Sequence, residues 1–91
     1  MSSIEISRSH RLGKQKARTA ADRLVGELAA EFEVDYAWQG DHLHFERPGV
    51  SGTIEVGANA IHIHVDLGLF LFALKSPIEN EIHRYLNQHF A

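Results

Sequence analysis

Cysteine is absent from the 91 residues. That excludes disulfides, thiolate metal sites, redox pairs and cysteine nucleophiles, and it points to a cytoplasmic protein whose core holds without covalent staples. Long apolar runs are missing too. The longest, Leu67 to Leu74, is eight residues including Gly68, against the roughly 20 that a membrane-spanning helix needs. The start, Met1-Ser2-Ser3-Ile4-Glu5-Ile6, lacks the basic stretch and the apolar core of roughly 7–15 residues that a secretory signal requires, so export by that route is not expected. No phosphate-binding loop is present, because Gly49, Gly52 and Gly57 are turn and strand glycines and not a G-x-x-x-x-G-K run. No G-x-S-x-G elbow surrounds Ser51 or Ser76, and His64 shares a strand face with Asp66 only as alternation dictates. These absences argue against an enzyme.

What is present is an ordinary globular composition, 44% apolar and 23% charged, which sets disorder and fibrous repeats aside. At this length one core and one domain, residues 1–91, are expected. The net charge of −3 is unevenly spread. Residues 1–23 hold six basic groups (Arg8, Arg11, Lys14, Lys16, Arg18, Arg23) against Glu5 and Asp22, hence +4, and residues 24–91 make up the remaining −7. A basic end can bind nucleic acid through phosphates, but the overall acidity and the lack of aromatics among these cations favour a solvated helix face.

Alternation of Ile4 and Ile6 with polar neighbours predicts a first strand over residues 3–8. Ala17, Ala21, Leu24, Leu28 and Phe32, spaced by three or four, predict an amphipathic helix over residues 12–33. Val34, Tyr36 and Trp38, then Leu43 and Phe45, alternate on either side of Gly40-Asp41, a hairpin whose leading glycine suits a type II′ turn. Pro48-Gly49 marks a further reversal before a strand over 53–56, and Ile61, Ile63, Val65 and Leu67 form the most regular row. Ser76-Pro77-Ile78-Glu79 has the signature of a helix start capped by Ser76, followed by Ile78, Ile82, Leu86 and Phe90 at i, i+4 spacing. The expected fold is therefore α+β, in the order β-α-β-β-β-β-α. It places an antiparallel sheet of four to five strands under two helices on one face. The pattern leaves open whether the first strand pairs with the last.

Four of the seven histidines form two H-x-H pairs, His42/His44 and His62/His64, on the polar parity of their strands. In a meander the pairs lie two strand spacings apart, roughly 9.6 Å, too far for one tetrahedral zinc with nitrogens at about 2.0–2.1 Å. Adding Glu46, Glu55 or Asp66 would complete a ligand set only if the sheet curled sharply. No metal or cofactor is assigned, and the histidines are read as exposed strand residues facing away from the helices. The apolar run Leu69, Phe70, Leu71, Phe72, Ala73, Leu74, closed by Lys75, is more informative, since it connects the last strand to the last helix. A connection normally lies at the surface, and contiguous exposed apolar side chains there mark a partner or an apolar surface. The competing reading buries part of the run in a core that a small domain needs to fill.

Several fragments taken in order resemble the polyhydroxyalkanoic acid system family. They are Ile4-x-Ile6, His10-x-Leu12-Gly13, Ala17-Arg18 and Tyr36-x-Trp38-x-Gly40-Asp41-x-Leu43-x-Phe45-Glu46-Arg47, then Gly52-x-Ile54-Glu55-Val56, Leu67-Gly68, Ile78-Glu79-x-Glu81-Ile82 and Leu86-x-x-x-Phe90. The similarity spans essentially the whole chain. It implies a small bacterial protein of polyester storage, at or near polyhydroxyalkanoate granules, and it carries over no catalytic residues. The expectation is a non-enzymatic, granule-associated protein touching a polyester or phospholipid-coated surface, or granule proteins, through Leu69 to Leu74 with Lys75 at the rim. The alternatives are a homodimeric adaptor and a small apolar-ligand module lined by Tyr36, Trp38, Phe45 and Ile63.

Overall fold

The structure, a computed structural model, describes residues 2–90, without the side chains of Ser2, Leu69 and Phe70. Its elements are β1 (Ser2–Ser9), α1 (Lys14–Phe32), β2 (Asp35–Gln39), β3 (His42–Arg47), β4 (Val50–Val56) and β5 (Ala60–Leu67). A 3-10 turn (Leu69–Leu74) then runs straight into α2 (Lys75–His89). All pairings are antiparallel, in the sheet order β1-β5-β4-β3-β2. The meander of four strands is as expected, and β1 joins it beside β5, with Ile4 across from Val65 and Ile6 across from Ile63.

Strand parity decides what goes inside. Ile4 and Ile6, Leu43 and Phe45, Ile54 and Val56, and Ile61, Ile63, Val65 and Leu67 all point to the same side and are buried. Helix α1 covers that side over β2, β3 and β4, and α2 covers it over β1. From α1 come Ala17, Ala21, Leu24, Val25 and Leu28, and from α2 Ile78, Ile82, Tyr85 and Leu86. The alanines let α1 approach the sheet closely while the leucines fill the space between layers. Burying a leucine or isoleucine side chain here contributes on the order of 1.5–3 kcal/mol.

Glycine placement sets the helix and strand limits. Gly13 at the start of α1 has φ 80°, a conformation without steric cost only for glycine, so the helix starts at Lys14 and not at Leu12. The Gly40-Asp41 hairpin has positive φ at Gly40 alone, as a type II′ turn demands. β4 is longer than the pattern suggested, reaching back to Val50 through Gly52. The reason lies across the ladder: Phe45 opposes Gly52, and its ring lies where a Cβ at Gly52 would stand. The glycine, a weak strand former by itself, here makes room for an aromatic core residue.

Ser76 does not cap α2, contrary to expectation. The helix begins at Lys75 with Leu74 before it and no side-chain cap. The preceding 3-10 turn supplies the missing acceptors, as where Lys75 N–H donates to Phe72 O, so the Ser76 hydroxyl has no orphan donor left to satisfy at that position.

Among the described residues His10 is the one buried polar residue, 5% exposed. Its Nε2 lies 3.0 Å from Gly57 O and its Nδ1 accepts from Leu12 N–H at 3.2 Å, which fixes the Nε2–H tautomer. The ring meets Phe90 edge-on at 5.6 Å, so one side chain ties the end of β1 to the β4–β5 turn and to the end of α2.

Replacing Gly52 with Ala should cost roughly 1–3 kcal/mol, because the Phe45 ring must leave its rotamer or the strand must shift. Urea denaturation measures it. Phe45→Leu in the same chain should cost less than the two single losses added, since the smaller side chain vacates the contested space.

Candidate surface-contact site

The apolar connection is a structured turn. Gly68 N–H donates to Gly49 O at 2.7 Å and Leu71 N–H to Gly68 O at 3.0 Å, fixing the turn to the Pro48-Gly49 reversal between β3 and β4. Gly49 has φ 84°, and the Leu71 methyl group lies 2.6 Å from where a Cβ at Gly49 would be, so any larger residue would displace Leu71. In a 3-10 turn, residues three apart share a side. Leu71 and Leu74 accordingly both lean on the core, half-buried. Phe72 falls a third of a turn away and is 64% exposed, with exposed Ala73 beside it and half-buried Lys75 after it. The side chains of Leu69 and Phe70 lie outside the described residues. Core burial therefore claims Leu71 and Leu74, while Phe72 lies at the surface.

The residues proposed to line a ligand cavity part company in the same way. Phe45 and Ile63 are core residues, 3% and 2% exposed. Trp38 is half-buried and engaged: its indole N–H donates to Asp22 Oδ1 at 2.9 Å, and the Arg18 guanidinium sits 4.3 Å above its ring. Tyr36 is 41% exposed near the open edge of the sheet.

Arg18 also donates to Gly40 O at 2.7 Å and to Asp41 Oδ1 at 2.9 Å, and Lys14 Nζ reaches Asp41 Oδ2 at 2.6 Å. Lys14, Arg18 and Asp22, four residues apart along α1, thus grip the β2–β3 hairpin. Hydrogen bonds from Lys14, then Arg18, hold the Asp41 carboxyl below its ordinary value of 3.8. Much of the basic first helix is therefore engaged with the hairpin, which leaves fewer cations for a nucleic-acid face.

On the side away from the helices the register builds three polar rows. Glu5, His64, Thr53 and His44 form one, and Ser7, His62, Glu55 and His42 the next. Asp66, Ser51, Glu46 and Asp35 form the third. All four strand histidines are exposed. The face bears five carboxylates, and none of the chain's nine Lys and Arg residues stands on it. His64 is held by its neighbours, with Nε2 3.0 Å from Asp66 and Nδ1 3.1 Å from Glu5. His62 Nδ1 is 2.8 Å from the Ser7 hydroxyl. His42 and His44 stack with ring centroids 6.2 Å apart. Sequence spacing revealed the histidine pairs with Glu46, Glu55 and Asp66 on the same parity; Glu5 came to stand opposite His64 only once β1 was seen to pair with β5.

The chain belongs to the polyhydroxyalkanoic acid system protein family, whose model matches residues 4–90. No curated protein and no solved structure matches it. Most fragments that carried the resemblance prove to be structural. His10 and Gly13 set the entry to α1, Arg18 grips Gly40-Asp41 and Trp38, and Gly52 admits Phe45. Arg47 donates to Phe32 O at 2.8 Å and so closes the end of α1.

His64 should titrate above the ordinary imidazole value of 6.5, chiefly because of the Asp66 carboxylate and secondarily Glu5. Asp66→Asn should bring it down toward that value in an NMR titration. A folded-state value above the unfolded one means that the charged imidazole adds stability in full below about pH 6.5 and loses it as pH rises through the folded value. With the His64 side chain 47% exposed, solvent screening limits the gain to the roughly 0.2–1 kcal/mol of exposed ion pairs.

Proposed function

From this family membership we propose that the protein serves polyhydroxyalkanoate storage by adsorbing to the granule surface, polyester or its phospholipid coat, through the turn Leu69–Lys75, without catalysing a reaction. The observation that supports the reading is the position of Phe72. It is a large apolar side chain, 64% exposed, on a turn that two backbone hydrogen bonds and two half-buried leucines hold rigid. A rigid anchor loses little conformational freedom on binding, so most of its burial energy appears as affinity. Burying Phe72 contributes roughly 1.5–3 kcal/mol, and Lys75 at the rim adds about 1 kcal/mol near anionic headgroups. Single copies would then bind reversibly, as a surface coat requires. Among the described residues no helix is long and apolar enough to cross a membrane.

Co-sedimentation with purified granules tests the reading. Phe72→Ser should lower the partition coefficient roughly tenfold or more while the thermal midpoint stays near wild type, because the side chain lies outside the core. Unchanged partition of the folded variant overturns the proposal. Repeating the measurement on protein-free polyester particles should preserve the effect; binding that requires the granule's protein coat would instead favour the adaptor reading.

A further inference from the structure

β2 is an outer strand of the sheet, and the bonds of its neighbours tell which of its backbone groups are free. Asp41 O accepts from Val56 N–H at 2.9 Å, so the odd-numbered residues of β3 address β4 and the even-numbered ones address β2. Across the two-residue Gly40-Asp41 turn, Asp35, Ala37 and Gln39 therefore bond to Glu46, His44 and His42. The N–H and C=O groups of Tyr36 and Trp38 point out from the edge, and among the described residues nothing bonds to them. The two aromatic side chains stand on the helix side and are already fixed there. The Trp38 indole N–H donates to Asp22, and Arg18 covers its ring. Tyr36 lies across α1 with its hydroxyl 3.8 Å from where a Cβ at Gly26 would be, yet it stays 41% exposed.

We propose that β2 pairs antiparallel with β2 of a second copy of this chain, about a twofold axis at Ala37, so that five strands from each copy form one continuous sheet. In that register the strand is self-complementary. Tyr36 meets Trp38 of the partner subunit twice, and each such pair exchanges both of its N–H to C=O bonds, which satisfies every free group on the edge. Ala37 meets its own copy on the axis, at the non-hydrogen-bonded position where Cα atoms approach to roughly 4.5 Å and a methyl group fits. Asp35 faces Gln39 of the partner subunit, so no like charges oppose each other. The two aromatic pairs cover side chains that a single copy leaves partly wet. The other edge lacks this match. Centring a β1 pair on Glu5 would set that carboxylate against itself, and centring it on Ile6 would set Arg8, which bonds Asn87 on the helix side, against Ile4. Strands of five residues bury little area, so the dimer is a transient one, dissociating at micromolar concentrations or higher. The contact shares no residue with the Leu69–Lys75 turn and stands or falls apart from the granule reading.

Sedimentation of the full chain tests the pairing. The average mass should rise from that of one copy to that of two, and no further, between about 1 μM and 1 mM. Ala37→Lys and Ala37→Glu each place like charges on the axis and should weaken association roughly tenfold or more. Ala37 is exposed, so both variants keep the monomer fold, which circular dichroism verifies. An equimolar mixture of the two variants should recover the dimer, because opposite charges then meet on the axis. In the wild type, hydrogen exchange at the Tyr36 and Trp38 amides should slow as concentration rises, while the amides of β1 keep their rates. A chain that stays monomeric throughout, a dimer untouched by Ala37→Lys, or a mixture that fails to recover association overturns the proposal.

Discussion

A sheet covered on only one side has a single parity available for apolar residues, and the rest of this structure follows from how strictly that parity is kept. Away from the strand ends, the pairings on the helix side set apolar or glycine residues against apolar ones, as where Leu43 meets Ile54 and Ile54 meets Ile63. A slip of one residue in any strand would exchange isoleucines for histidines and carboxylates in the core, so the registers are held far more firmly than the backbone hydrogen bonds alone would hold them. The same rule sends the polar residues of the strands to the far side. Their sign is a property of this sequence and not of parity: five carboxylates and four histidines stand there, and the Lys and Arg residues lie on the helices, loops and strand ends.

The helix layer is tied down at two distant points by different means. At one end Lys14, Arg18 and Asp22 grip the Gly40-Asp41 hairpin and the indole of Trp38. At the other, His10 joins the end of β1 to Gly57 and Phe90. These contacts account for the family resemblance more fully than any surface feature does. Membership consequently speaks to a shared architecture, and the chemistry of the exposed turn and the open face has to be read on its own terms.

Alternation and i, i+4 spacing made the elements legible: five strands, two helices and the parity of each. What stayed hidden was whatever depends on partners distant in the chain. Gly52 reads as a strand breaker until Phe45 is seen lying over it, and Ser76 reads as a cap until the preceding turn is seen to fill that role. The run from Leu69 to Leu74 has apolar residues at every position, so neither period two nor period 3.6 can divide it. Only the three-fold repeat of a 3-10 turn separates inward Leu71 and Leu74 from outward Phe72. Likewise Glu5 comes to stand beside His64 through the β1–β5 register, which no local pattern encodes.

The first strand pairs with the last. β2 to β5 can assemble by successive hairpins, each closing a short loop, whereas β1 must wait for β5, which follows every other strand of the sheet in the chain. On the ribosome, Ile4 and Ile6 therefore remain without their strand partners Val65 and Ile63 until β5 has been made. The basic, alanine-rich α1 that follows can form early from local contacts and keep β1 tethered nearby. Docking of β1 is thus a late step of folding, and it is also the step that brings Glu5 beside His64.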